Sequence, residues 1–288
     1  MNNFMNLFGR SKHVIIGMVH VRALPGSPLG CLNMDQIREV ACSEADIYNR
    51  AGVDAIMIEN MFDVPWLRHD LMGPETTACM SSVCSAIRSQ HPTLPMGVQI
   101  LAGANKEAVA VAKAAGLNFI RAEGFVFSHI ADKGPIHSCG AELLRYRRFL
   151  EAENILVFTD IKKKHSSHAI TSDVSLQETA RAAALFQSDG VIVTGLATGA
   201  ETNPQEVSDV QDAVNIPVLV GSGVTTDNLS QYASAEGIII GSHLKVEGQW
   251  QNDLDETRVK CFMEKVNDIR NLALQSASSN NMSRTDIE

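Results

Sequence analysis

The sequence predicts a single (β/α)8 TIM barrel, a parallel eight-stranded core wrapped in helices. Three observations carry that expectation. Short runs that are apolar at nearly every position recur eight times, a longer helical pattern follows each, and no Pro/Gly/Ser-rich linker interrupts the alternation. A chain of 288 residues also suits one such domain, since these barrels run to about 250 residues.

The expected strands are 13–19, 53–59, 96–101, 118–122, 155–160, 190–195, 216–221 and 237–241. The runs IMI, ILVF, VIV and III within them lack the polar alternation of a half-solvated hairpin, which marks strands buried on both faces of a parallel sheet. The expected helices are 35–51, 74–89, 104–115, 139–152, 175–187, 204–214, 225–233 and 255–274. The first places Ile37, Val40, Ala41, Ala45 and Ile47 largely on one side, and the second opens with Pro74, where a first helical turn tolerates proline. Strands alternating with helices imply right-handed crossovers, and eight such units in one domain point to closure. An open doubly wound sheet would call for a dinucleotide turn, and neither Gly17 nor Gly26 sits in a GxGxxG. The barrel is expected over 1–275, and 276–288, poor in apolar residues, is expected to be a disordered tail.

Composition narrows the partners. With 45% hydrophobic and 20% charged residues the chain reads as an ordinary soluble globule. A net charge of -9 argues against nucleic acid, which needs a concentrated basic face. No apolar run reaches the roughly 20 residues of a membrane span. The six cysteines lack a CxxC pair or zinc-like spacing and read as reduced thiols. The compartment is expected to be cytoplasmic. A mitochondrial one is the alternative, because the first twelve residues carry Arg10 and Lys12 and no acid. Barrels often associate, so a homo-oligomer is compatible with the chain.

The most specific motif is IPVLVGSGVTTDNL followed by EGIIIGSHLK. Gly221, Ser222 and Gly223 follow the seventh strand, and Gly241 and Ser242 the eighth. Glycines there let backbone N–H groups approach an anion, the serines add hydroxyl donors, and barrels often hold phosphate at this junction. Gly195, Thr198 and the neighbouring Thr194 and Gly199 after the sixth strand are expected on the same rim.

Active groups of this fold sit at the C-terminal ends of strands. Those ends hold His20, Glu59 with Asn60, Arg121 with Glu123, and the run TDIKKKH with Asp160, Lys162, Lys164 and His165. Alternation along an extended strand would send Asp160, Lys162 and Lys164 to one side, and Ile161 and Lys163 to the other. A lysine beside a carboxylate and another lysine has a shifted pKa and suits proton donation or imine formation. Glu59 suits a general base, Arg121 an anion clamp and His20 an acid–base group. A hydrolytic metal barrel would carry an HxH pair on the first strand and an aspartate after the eighth; here stand VHVR and Gly241-Ser242-His243, so no metal site is assigned and no cofactor is required.

The chain resembles the BtpA/SgcQ family through GMVHVRALPGSP, VDAIMIEN, ADKGPI, ELLRYRRFL, TDIKKKH, GVIVTGLATG, VLVGSGVTTDNL and IIIGSHLKVEGQWQNDLDETRV, from Ile16 to about Met263. The resemblance implies a phosphate-binding barrel of the ribulose-phosphate-binding type without implying a reaction. One namesake is associated with photosystem I accumulation, and another lies among genes of sugar-phosphate metabolism. The chain departs from the family at LAGANKEA after the third strand and at Arg121-Ala122-Glu123-Gly124 after the fourth, both at the mouth. The expected function is an enzyme acting by isomerase- or lyase-type acid–base chemistry on a small phosphorylated, sugar-phosphate-like metabolite. The alternative is a non-catalytic assembly or stability factor that keeps a phosphate-ligand-binding barrel.

Overall fold

The computed structural model describes residues 2–195 and 198–285, with 276–285 as backbone only. Eight strands form the barrel: β1 (Val14–His20), β2 (Ala55–Glu59), β3 (Met96–Gln99), β4 (Phe119–Ala122), β5 (Leu156–Asp160), β6 (Gly190–Val193), β7 (Val218–Val220) and β8 (Gly237–Ile240). All pair in parallel, and the ring closes through β1 and β8 with Ile15 opposite Ile238. Around it lie α2 (Met34–Ala51), α3 (Pro74–Gln90), α4 (Asn105–Ala115), α5 (Gly140–Phe149), α6 (Leu176–Leu185), α7 (Pro204–Ala213) and α8 (Glu256–Thr285). A short α1 (Asn2–Phe8) precedes them. No described helix is long and apolar enough to cross a membrane.

Local chemistry sets the boundaries. Asn33 and Gln36 form a reciprocal capping box on α2, and Ser175 and Glu178 do the same on α6. Pro74 and Pro204 occupy first turns, where a missing N–H costs nothing.

The strands divide their side chains between two cores. Ile15, Val19, Ile56, Ile58, Val98, Ile120 and Val157 face outward and pack beneath the helices. Val14, Ile16, Met18, Ala55, Met57, Phe119, Leu156, Phe158, Ile192, Leu219 and Ile239 fill the inside. Phe4 and Phe8 of α1 enter the barrel from below and pack edge-on against Phe158 and Phe119, with centroids 6.0 Å and 5.7 Å away. Gly97 leaves room for this cluster, since a Cβ there would lie 2.2 Å from the Phe119 ring.

Two features differ from the expectation. The helix anticipated over 225–233 is a single 3-10 turn, Leu229–Tyr232. Asn228 accepts from the Thr225 N–H at 2.7 Å and donates to the Gly223 carbonyl at 3.0 Å, local bonds that compete with a helical start. The loops after β4 and β5 contribute a small antiparallel sheet of His129–Ala131, Gly134–Ile136 and Ser166–Ser167 beside the barrel mouth. The last helix, α8, runs to Thr285.

Candidate active site

Register places the polar strand ends on one level. His20 lies opposite Glu59, and Glu59 opposite Gln99. Arg121 stands two residues above Phe119 on β4, and Asp160 two above Phe158 on β5, so these five polar side chains point inward. They form the floor of a cavity of about 310 Å³ at the C-terminal ends of the strands.

The floor is built from paired charges. The Arg121 guanidinium donates through Nε and Nη2 to both Asp160 oxygens, at 3.0 and 2.7 Å, with both groups buried. Lys163 Nζ donates to Glu123 Oε1 at 2.9 Å. Asn105 clasps the Glu123 backbone, accepting from its N–H at 3.1 Å and donating to its carbonyl at 2.7 Å. Burial raises the Glu59 carboxyl above its ordinary value despite nearby Arg121 and Lys164. Burial and then the Lys245 charge push His20 well below the usual imidazole range, so it stands neutral 3.9 Å from Glu59. Burial, followed by the Arg121 charge, brings Lys164 down to about 8. Among the described residues Lys164 has no carboxylate within 4.0 Å, unlike Arg121 and Lys163.

The run after β5 does not follow the expected alternation. The strand ends at Asp160, and Lys162 takes a left-handed φ of 44°. That turns the Lys162 ammonium away from the cavity, to the Thr171 carbonyl at 3.1 Å, and brings Lys163 and Lys164 to the cavity wall. His165 lies on the same wall, where its Nε2 accepts from the Thr198 N–H at 3.1 Å. Asn60 is a brace, accepting from the Leu101 N–H at 2.7 Å and donating to Asp63.

The opposite rim carries the glycine turns. Gly221, Ser222, Gly223, Gly241 and Ser242 line the cavity, joined by Thr198 and Gly199. Gly223 has φ +74°, and a Cβ there would lie 2.3 Å from the Ala200 carbonyl oxygen, so only glycine fits. At Gly221 a Cβ would meet Ile192 at 2.5 Å. Gly195 does not reach the cavity: its N–H is spent on Ser222 Oγ at 2.8 Å and its Cα is packed against Ala200. Ser222 is thereby held between two loops, with its carbonyl accepting from Thr202 Oγ1 at 2.9 Å. After β8 comes a short turn, Ser242–Leu244, anchored by Arg258 donating to the His243 carbonyl at 2.8 Å. The buried Lys245 beyond it donates to Glu44 of α2 at 2.6 Å. Among the described residues the N–H groups of Gly223, Ser242 and His243 donate to no other part of the chain.

Residue reading missed Gln99, Met61, Trp66 and Leu101, which all line the cavity. Gln99 had a signal, being the one polar side chain in MGVQIL and two residues beyond Gly97 on the inward face.

Comparison with known proteins follows from this geometry. Among solved structures, tryptophan synthase of Mycobacterium tuberculosis superposes with TM-score 0.58 at 15% identity, covering 92% of this chain and 96% of that one. Orotidine 5'-phosphate decarboxylase of Pyrococcus horikoshii gives TM-score 0.53 at 13% identity over 88% and 99%. Identities this low show the shared barrel fold. A Caenorhabditis elegans protein named as mitochondrial is 46% identical over 268 residues, 92% of this chain and 96% of its own length. The photosystem I biogenesis protein BtpA of Synechocystis is 31% identical over 269 residues, 91% of each chain. Residues 11–268 match the BtpA family model, and the chain belongs to the BtpA family.

Proposed function

We propose that the protein is an enzyme that anchors the phosphate of a small phosphorylated metabolite between the turns after β7 and β8 and moves protons at the floor beneath it. The observation that carries this reading is that one cavity is walled by the Gly221, Gly223 and Gly241 turns and floored by Glu59, Arg121, Asp160 and Lys164. Backbone N–H groups without partners suit an anion, and phosphate binding at this junction is common in such barrels. Remote binding energy from the phosphate would hold the reacting carbon against the floor.

Roles follow from the electrostatics. A buried carboxyl with a raised pKa suits a general base, and an ammonium near 8 is mostly charged at neutral pH yet parts with its proton readily. We therefore assign Glu59 as base and Lys164 as acid, with the Arg121–Asp160 pair as a fixed dipole that stabilises developing negative charge. Isomerisation or lyase chemistry at a carbon next to a carbonyl fits that pair. Lys162, directed away from the cavity, is left out of the assignment.

The deciding experiment is thermal melting with inorganic phosphate and sugar phosphates, for the wild type and Gly223→Val. Phosphate should raise the melting temperature of the wild type, as selective binding to the native state must, and should leave the variant unmoved. Protection that persists in Gly223→Val and in Gly241→Val would overturn the assignment. Incubation of phosphorylated ketoses and aldoses in D2O then tests the chemistry: deuterium should enter next to the carbonyl with the wild type and not with Lys164→Met.

The name of the Synechocystis relative favours a second reading, a biogenesis factor that keeps the barrel without turnover. It is distinguished by ligand protection with no deuterium incorporation from any phosphorylated substrate. For the compartment, the name of the worm relative supports a mitochondrial location over the cytoplasmic one; cell fractionation decides.

A further inference from the structure

The wall facing the glycine turns is made by β3 and β4, four strands away from β7 and β8 around the ring. It holds two hydrogen-bond acceptors that accept from none of the described residues. Gln99 is 2% exposed and Glu123 5%, and both line the cavity. Gln99 Nε2 donates to Glu123 Oε1 at 3.4 Å, and Lys163 donates to the same oxygen at 2.9 Å. Gln99 Oε1 and Glu123 Oε2 remain buried without a partner among the described residues. Turning the amide over does not relieve this, because its oxygen would then face the carboxylate. Burial alone would raise the Glu123 carboxyl, but Lys163 and Lys133 outweigh it and hold the group below its ordinary value. It is therefore ionised at neutral pH and can only accept. A buried acceptor left unpaired costs free energy that a ligand donor recovers.

Around these acceptors the wall turns apolar. Met61 and Leu101 are buried and line the cavity with Trp66. The indole is held in place, its Nε1 donating to the Met61 carbonyl at 3.2 Å and the Lys133 ammonium 4.8 Å from its ring centroid. A polyol chain laid here would lose hydration at several hydroxyls against carbon surface. A flat ring would place its apolar faces and rim there, and direct only its N–H groups at Gln99 and Glu123. The volume of about 310 Å³ sits at the small end of ordinary ligand pockets.

We propose that the ligand is a phosphate monoester whose far end is an amino-substituted nitrogen heterocycle, read by Gln99 Oε1 and Glu123 Oε2 against the wall of Met61, Trp66 and Leu101. This rests on the phosphate reading of the glycine turns. It refines that reading from sugar phosphates in general to phosphorylated nucleoside-like compounds with a donor edge. An oxo group in place of the amino group would set its lone pairs against those of Gln99 and Glu123, so the two should be sharply distinguished.

The test uses the full chain and melting shifts with inorganic phosphate, ribose 5-phosphate, glucitol 6-phosphate and the matched pairs AMP/IMP, GMP/XMP and CMP/UMP. In at least one pair the amino member should bind about tenfold or more tightly than its oxo partner, and more tightly than ribose 5-phosphate. Gln99→Met keeps the volume of the side chain and should shrink that preference while leaving protection by inorganic phosphate intact. Because the pairs are compared on the wild type, the result does not depend on how well that variant folds. Protection by inorganic phosphate or ribose 5-phosphate with no amino preference in any pair overturns the proposal and spares the phosphate cradle. Equal or better binding of glucitol 6-phosphate does the same. If neither inorganic phosphate nor any ester protects, the cradle reading fails and the proposal falls with it.

Discussion

The bottom and the mouth of the barrel are built on the same strands two residues apart, and they differ in almost everything but burial. On β4 Phe119 is followed on the inward face by Arg121; on β5 Phe158 is followed by Asp160. Below, the Phe119 and Phe158 rings lie 5.6 Å apart and rest on Phe4 and Phe8. Above, a guanidinium grips a carboxylate, and both are buried, as the rings are. The lower layer stabilises through apolar area removed from water. The upper layer gains little, because the desolvation of two charges offsets most of their attraction. Burial therefore does not tell a supporting layer from a working one. What separates them here is whether the buried group gains or loses by being there.

Breaking each layer should show this. Phe158→Ala should cost about 3–5 kcal/mol in denaturant unfolding and leave the phosphate-induced melting shift unchanged, since it empties only the lower layer. Arg121→Met should cost a similar 3–5 kcal/mol by leaving Asp160 buried and unpaired, and it should also abolish turnover. Adding Asp160→Leu to Arg121→Met should restore most of the stability and none of the turnover; a double variant as unstable as the single one would make the pair a packing element like the rings below.

Lys164 should behave with the opposite sign. Its pKa falls from 10.5 to about 8 in the folded chain, so the native state binds this proton more weakly than the unfolded chain does. The charge therefore weakens the fold fully below about pH 8, and the penalty fades as pH climbs toward 10.5. Lys164→Met should stabilise at pH 7 by something on the order of 2 kcal/mol and remove turnover, a pairing that no supporting residue would show. The wild-type rate should also fall as pH rises through about 8, when the proposed acid loses its proton.

Gly223→Ala should cost about 1 kcal/mol or more from its left-handed backbone and the nearby Ala200 carbonyl, seen as a lower melting temperature without ligand, and should weaken the melting shift with phosphate. Lys162→Met should be the mildest, within about 0.5 kcal/mol and with turnover near normal, because its ammonium is directed to the Thr171 carbonyl, outside the cavity. A large loss of turnover there would return Lys162 to the mouth, where strand alternation had put it.

How much of this was legible in the sequence divides along the same line. Runs such as ILVF and VIV and their spacing reflect an average burial, which survives small local errors, so the eight strands and the Gly-Ser turns were readable. The run TDIKKKH was not, because a single left-handed φ at Lys162 reverses which lysines face inward, and three identical residues give no hint of where the turn falls. Gly195 looked like a cradle residue by spacing, yet its N–H is taken by Ser222, a contact across 27 positions. The 3-10 turn in place of a helix after β7 came from Asn228, whose side chain satisfies loop backbone that a helix would have needed free. Gln99 was the one site residue visible but passed over, a polar side chain in an otherwise apolar strand end.

The helix that enters the barrel from below has a kinetic consequence. With Phe4 and Phe8 closing that end, the cavity is a blind well, and whatever enters must leave by the same opening. On the proposed function, water displaced by an arriving ligand would have to pass the ligand on its way out, and product would retrace the path of substrate. The loops around that opening then govern residence time, including the small sheet of His129–Ala131, Gly134–Ile136 and Ser166–Ser167.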